Sequence, residues 1–418
     1  MQLRPGVKGG GSLKARFLGG GDEVGRLGML LSTGRYQLLF DYGMNPTKPP
    51  SFPMLSPSVD AVFVTHSHLD HVGMLPWINK VGGANIYATP PSLSVIPILL
   101  YDAVKIANIE GNKLPYEETD VDAVIESFTA INYGETLELR DLSISSHSTG
   151  HLIGSSMYLI EDNNRILFTG DVQSIDTHLL FGIKPLDTDV LIVESTYAGK
   201  EHPPRKSVEE NFLSSIEKIV EGGGVAVVPA FATGRAQELL MVLENTDYEI
   251  WMDGMARTVS NVLLSFPKYI RNYQKYKKMV RRARMVRSKS DRDRALKGDV
   301  IITTSGMLDG GPVLNYIAQL NEPKNGLFLT GYQVEDTNGR MLLETGSIDL
   351  AGVNTKINMD VKFFDFSAHS GHRELVEFIE GCKPDKVVLM HGEKREELAK
   401  ELTSAQVVLP KNGEEFEI

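Results

Sequence analysis

The sequence predicts an α/β protein in which a mainly β fold is opened by an inserted parallel α/β unit and then resumed. Three observations point there. Short apolar runs rich in Val, Ile and Phe, separated by glycine turns, recur through about the first 200 residues. Beyond them, helical and strand periodicities alternate, as in a parallel sheet with crossover helices. After residue 355, strand-like runs return and again end at histidines.

The elements follow from local pattern. Runs 16–18, 29–32 and 36–40 read as strands, the first entering the glycines at 19–21 and the third delivering Asp41. Val, Ala and Phe mark 59–65 as a buried strand that stops where histidines begin, and 93–109 has helical spacing. Runs 137–144, 155–160 and 165–169 are predicted strands. Residues 207–221 form an amphipathic helix stopped by three glycines, 225–229 a buried strand and 233–245 a second helix. Strands are expected at 300–304, 327–330, 360–366 and 386–390. The domain boundaries implied are 1–200 and 356–418 for the interrupted fold and 201–355 for the insertion.

With 418 residues, 42% hydrophobic and 23% charged, the chain is long enough for two or three domains, and its composition excludes a collagenous, coiled-coil or largely disordered protein. Its single cysteine, Cys382, cannot close an intramolecular bridge, and residues 1–17 lack the apolar block of a secretory signal. A cytoplasmic location is expected. No stretch is expected to reach the roughly 20 apolar residues of a membrane span. The net charge of −11 argues against indiscriminate adhesion to nucleic acid. Between Arg271 and Lys297, however, 12 Lys and Arg face two Asp, with Tyr273 and Tyr276 interleaved. Such a strip can track phosphates while a ring stacks on a base, or form an ordinary solvated face.

The sharpest motif is His66-Ser67-His68-Leu69-Asp70-His71, directly after a predicted strand. Three imidazoles and a carboxylate this close serve a core poorly and are costly to bury unpaired, whereas they are good ligands of Zn²⁺. His66 and His68 can turn one way and Asp70 and His71 the other, so one loop can serve two ions. Further donors must come from elsewhere, and His151, Asp171 and His391 each sit near a strand end beside glycine.

These residues, with Asp41 and in this order, resemble the metallo-β-lactamase superfamily. Glu194 in the run VESTY, His369 in FSAHSGH and the stretch 229–238, PAFATGRAQE, resemble its β-CASP branch, whose members act on nucleic acids. The runs GGGDEVG at 19–25 and GYQVE at 331–335 are most similar to the endonuclease subunit of the cleavage and polyadenylation specificity factor and its compact archaeal relatives. The resemblance implies an αββα fold with an inserted β-CASP domain. It also implies two Zn²⁺ ions, one held by His66, His68, His151 and Asp171, the other by Asp70, His71, His391 and the shared Asp171. Asp41 would orient a ligand imidazole, and His369 would act as general acid with Glu194 holding its tautomer. Two such cations can clamp the attacking and leaving oxygens of a phosphodiester.

The function implied is a zinc-dependent ribonuclease acting on single-stranded RNA, most simply an endonuclease, in RNA processing or decay and with possible partner proteins. The insertion is expected to cover the metal face, and Arg235, at a helix start, is a candidate phosphate contact. Ser370, Gly371 and His372 resemble the terminal-phosphate pocket of RNase J, so a 5′-to-3′ exoribonuclease is the main rival. A small-molecule hydrolase would need neither the insertion nor His369 and Glu194, a non-catalytic scaffold should have lost ligands, and no residue excludes DNA. The tail 407–418 can pair as a strand within the chain or with a second copy in a homodimer.

Overall fold

In the computed structural model, which describes residues 13–418, the chain forms two compact units. One comprises the residues through 175 together with 182–201 and 369–418; the other comprises 176–181 and 202–368. The glycine-rich residues 1–12 lie outside the described range.

The first unit is built on two seven-stranded sheets. One runs in the order Glu415–Glu417, Lys14–Gly19, Gly28–Ser32, Gln37–Phe40, Ala61–Phe63, Asn85–Ala88, Phe128–Ala130; the other runs Gln406–Val408, Lys386–Met390, Val190–Glu194, Arg165–Phe168, Ser156–Glu161, Leu142–Ser148, Thr136–Leu139. Their inner faces share one apolar core, in which Phe40 and Phe63 of the first sheet meet Tyr158 and Phe168 of the second. Ring centroids are 5.3 Å apart for Phe63–Tyr158 and 5.1 Å for Phe40–Phe168. Burying each such ring stabilises the fold by roughly 1.5–3 kcal/mol. Helix Pro90–Glu110 covers the outer face of the first sheet and helix His372–Cys382 that of the second, giving an αββα sandwich. Cys382 is part of that second outer layer.

Several elements differ from expectation. The predicted strand 137–144 is a hairpin, Thr136–Leu139 and Leu142–Ser148, turning at Arg140 with φ +29°. The apolar alternation changes phase there, from Leu137 and Leu139 to Leu142 and Ile144, and the two polar residues between Leu139 and Leu142 are the turn. Helix Pro90–Glu110 is, by length and composition, long and apolar enough to cross a membrane, contrary to the expectation that no stretch reaches this. Its Ile96, Leu100, Ala103 and Val104 are buried in the protein's own core.

The second unit contains a six-stranded sheet, in the order Arg284–Met285, Ile250–Asp253, Val300–Thr303, Ala226–Pro229, Gly326–Leu329, Asp360–Phe363. All its pairings are parallel. Four of these strands are buried throughout, which is why they read as continuous apolar runs rather than alternating ones. Asp360–Phe363 pairs with Gly326–Leu329, so the chain is still in this unit beyond residue 355 and returns to the first at His369. The tail strands Gln406–Val408 and Glu415–Glu417 pair within the chain, one in each sheet of the first unit.

Candidate metal centre

The histidines and carboxylates of the first unit lie where strands of both sheets end. Asp41 follows Gln37–Phe40; His66 and His68 come just after Ala61–Phe63, and Asp70 and His71 lie in the helical turn Leu69–Val72. From the second sheet come His151, in the loop after Leu142–Ser148, Asp171 after Arg165–Phe168, Glu194 at the end of its strand and His391 directly after Lys386–Met390. Asp41 and His391 both have left-handed backbones, φ +54° and +49°, a conformation that costs energy in a non-glycine residue and concentrates at functional sites. Close approach shapes the turn as well: a Cβ on Gly43 would stand 1.7 Å from the Asp70 carbonyl oxygen.

The donors converge on Asp171. Its Oδ2 lies 3.6 Å from His66 Nε2, 3.4 Å from His71 Nε2 and 3.6 Å from His151 Nε2, and its Oδ1 is 3.3 Å from His391 Nδ1. Asp70 Oδ2 is 3.8 Å from His71 Nε2 and 3.7 Å from His391 Nε2. His66, His68, His151 and Asp171 offer ligand atoms within 4.8 Å of one another, as do Asp70, His71 and His391. Spacings of this size exceed good hydrogen bonds but suit donors that share a cation at about 2.0–2.2 Å. Among the described residues, His68 Nε2 and His71 Nε2 are buried without a hydrogen-bond partner, an arrangement a metal ion would satisfy. The residues therefore fit a metal centre.

Supporting contacts fix the rings. Asp41 Oδ2 is 2.8 Å from His71 Nδ1 and accepts the Thr65 hydroxyl at 2.7 Å, while Oδ1 accepts the Thr65 amide at 2.7 Å. Such a carboxylate orients a ligand imidazole and raises its basicity. The Gly25 amide donates to His391 Nε2 at 2.8 Å, and the Thr196 hydroxyl donates to the His391 carbonyl at 3.1 Å. Sequence reasoning misses Thr65, Gly43 and Gly25: Gly25 acts through its amide, Gly43 through the space it leaves, and Thr65 through an amide and a hydroxyl that meet Asp41 from 24 residues away.

Charge is unevenly held across the cluster. Burial depresses the pKa of His66 and His68. It also opposes protonation of His71 and His391, but Asp171, Asp41 and Asp70 reverse this for His71, and Asp171 and Asp70 lift His391 to about 9. Burial raises Asp41, with His71 opposing. Burial would raise Asp171 too, yet His71, His391 and His369 hold it well below the usual carboxylate range.

His369 stands beside this cluster. Its Nδ1 lies 2.9 and 3.1 Å from the two oxygens of the fully buried Glu194, and its Nε2 is 3.8 Å from Asp171 Oδ2. Burial disfavours its protonated form, but Glu194 and Asp171 overcome this and raise its pKa. Glu194 also accepts the Val172 amide at 2.7 Å, which locks the carboxylate.

The following residues are engaged internally. Ser370 is buried and its hydroxyl accepts the Ser174 amide at 2.9 Å, while the Gly371 amide donates to Glu374 at 2.9 Å. His372 takes the Gly199 amide on Nδ1 at 2.9 Å and pairs through Nε2 with Glu401 at 2.8 Å. In the second unit, Arg235 begins helix Arg235–Val242, is only 9% exposed and donates to the Thr330 carbonyl.

Comparison with known proteins places these residues in a family. The chain matches a metallo-β-lactamase superfamily domain over residues 30–192, a β-CASP domain over 236–342 and a Zn-dependent metallo-hydrolase RNA specificity domain over 354–410. It is 39% identical to the probable RNase MJ4 of Methanocaldococcus jannaschii, covering 90% of this chain and 92% of that protein. It is 36% identical to RNase aCSPSF2 of Saccharolobus solfataricus over 96% of this chain and 85% of that one. Identity to cleavage and polyadenylation specificity factor 73 of Drosophila melanogaster is 31%, over 92% of this chain and 60% of that protein. A crystal structure of a protein of unknown function from Enterococcus faecalis V583 shares the fold, with a TM-score of 0.63 at 15% identity, covering 98% of this chain and 100% of that one. With three matching domains and full-length relatives, the chain belongs to the β-CASP branch of the metallo-β-lactamase superfamily.

Proposed function

We propose that this protein is a two-zinc ribonuclease that hydrolyses phosphodiester bonds within single-stranded RNA, acting in RNA processing or decay in the cytoplasm. The observation that carries the reading is the convergence of five imidazoles, those of His66, His68, His71, His151 and His391, on Asp171, with Asp70 against His71 and His391 and the His369–Glu194 pair beside them. The names of the full-length relatives and the RNA specificity domain support RNA as the substrate.

His66, His68, His151 and Asp171 would hold one ion, and Asp70, His71, His391 and Asp171 the second. Zinc bound there supplies Lewis acidity toward phosphoryl oxygens and toward water near neutral pH. The chain's own residues do the rest. Asp41 keeps the His71 proton on Nδ1 and leaves Nε2 as a donor. Glu194 keeps a proton on His369 Nδ1, so that Nε2 presents its proton to the departing ribose oxygen. Arg235 remains a candidate phosphate contact, supported by its place at a helix start.

Cutting within the chain is favoured over 5′-terminal trimming by one observation: the polar groups of Ser370, Gly371 and His372 are taken up internally rather than turned to a terminal phosphate. The test combines metal analysis with cleavage of RNA labelled internally and at its 5′ end, using wild type, Asp171→Ala and His391→Ala. Expected are internal fragments, unchanged when the 5′ end is blocked and absent in both variants. Mononucleotides released from the 5′ end would establish the exonuclease instead.

A further inference from the structure

The basic run of the second unit folds into helix Tyr273–Arg282, strand Arg284–Met285 and helix Lys289–Ala295. Half of its twelve cations are engaged. Arg271 pairs with Asp176 at 3.0 Å, Lys275 with Glu244 at 3.0 Å, Arg284 with Glu249 at 3.2 Å, Arg292 with Asp253 at 2.7 Å and Arg294 with Asp291, while Arg282 donates to the Glu244 and Tyr248 carbonyls. Lys277, Lys278, Arg281, Arg287, Lys289 and Lys297 make no ion pair among the described residues. In a chain of net charge −11, six uncompensated cations within 21 residues form a concentrated positive field.

Arg281 and Arg287 line an open pocket of about 420 Å³ together with the apolar Leu264, Val280, Ala283 and Met285 and with Asn261. Its one acidic residue, Asp291, does not cancel them. That carboxylate accepts the Arg287 amide at 2.9 Å and the Ser288 hydroxyl at 3.0 Å, and it pairs with Arg294. Apolar side chains in one pocket with two arginines suit a flat ring carrying an anion. Guanidinium grips phosphate through two parallel hydrogen bonds, and its plane stacks on a base. The tyrosines that the sequence offers for stacking do not take this role: Tyr276 is buried with its hydroxyl on the Ser260 carbonyl, and the Tyr273 hydroxyl donates to the Leu264 carbonyl.

We propose that this pocket anchors one nucleotide of a single-stranded RNA, the base over Leu264, Val280 and Met285 and the phosphate between Arg281 and Arg287. The inference rests on the ribonuclease reading and adds to it a binding point built from none of the metal-centre residues. Binding energy gained there in ground state and transition state alike lowers KM without raising kcat.

The test uses the full, zinc-loaded chain and a single-stranded RNA of about 20 nucleotides. Wild type is compared with Arg281→Gln/Arg287→Gln and with Arg281→Glu/Arg287→Glu by fluorescence anisotropy across a salt series, and by kcat and KM for cleavage. Both arginines are exposed, and melting curves check that the fold is kept. The Gln pair should weaken binding about tenfold, the Glu pair more, and the slope of log K against log salt should fall by about 1 for each phosphate no longer neutralised, with the defect in KM rather than kcat. Affinity and slope within twofold of wild type in both variants would overturn the anchor while leaving the ribonuclease reading intact, and would turn the pocket toward an acidic protein segment. Failure of wild type itself to bind and cut RNA would overturn both.

Discussion

At Asp171 the two carboxylate oxygens divide the site, Oδ2 facing His66, His71, His151 and His369 at 3.4–3.8 Å and Oδ1 facing His391 at 3.3 Å. His369 is the outermost of these rings and the one that commits its other nitrogen to Glu194, so its chemistry is separable from metal holding. His369→Ala should therefore lower turnover by about 10²–10⁴-fold with zinc per chain unchanged. Metal analysis alongside single-turnover cleavage reads both, and loss of zinc in step with activity would make His369 a ligand. The hexapeptide at 66–71 is legible because its composition is useless to a core. His151, Asp171 and His391 are legible only as polar residues at strand ends. The roles of Thr65 and Gly25 are not legible, since an amide that reaches a carboxylate or an imidazole leaves no mark on residue type and the Thr65 hydroxyl gives no sign that it meets Asp41.

At the scale of elements, the buried parallel strands are the easiest to read, because both faces are covered and the apolar run has no gaps. The hairpin at Arg140 is marked only by a change of phase, from Leu137 and Leu139 to Leu142 and Ile144, which a reading of 137–144 as one apolar run passes over. Harder still is segment 176–181, which the chain sends into the second unit before returning to the first at 182. It is tied by His178, whose Nε2 is 3.1 Å from Glu209 on helix Arg205–Glu221 and whose amide donates at 3.0 Å to Glu238 on helix Arg235–Val242. The hydrogen bond to Glu209 raises the His178 pKa against the opposing effect of burial. A histidine with a raised folded-state pKa contributes its full stabilisation below the unfolded value of about 6.5 and loses it as pH climbs through the folded value. Wild type should thus out-melt Glu209→Gln at about pH 6, and the gap should close toward alkaline pH. Parallel melting curves across that range check it, and a gap that widens with pH would contradict the pairing.

For the whole molecule, composition and period place an α/β insertion inside a β-rich fold, and the strand pairing corrects where it ends, since Asp360–Phe363 joins the second unit's sheet. What no sequence period discloses is that the donors are contributed by both sheets of the sandwich: Asp41, His66, His68, Asp70 and His71 from the first, His151, Asp171 and His391 from the second. An ion held there would cross-link two layers that otherwise meet through apolar side chains such as Phe63 and Tyr158. A ligand that binds the folded state alone, present at 1,000 times its Kd, stabilises by about 4 kcal/mol, which for a domain of this size is a melting shift of roughly 10 °C. Chelation should lower the calorimetric transition by that order, and adding back zinc should restore it. Asp171→Ala, which removes the carboxylate both donor groups face, should melt at one temperature with and without chelator. A wild-type transition indifferent to chelator would mean that the two sheets hold these side chains together without an ion, and the centre would have to be read as a structural network of imidazoles and carboxylates.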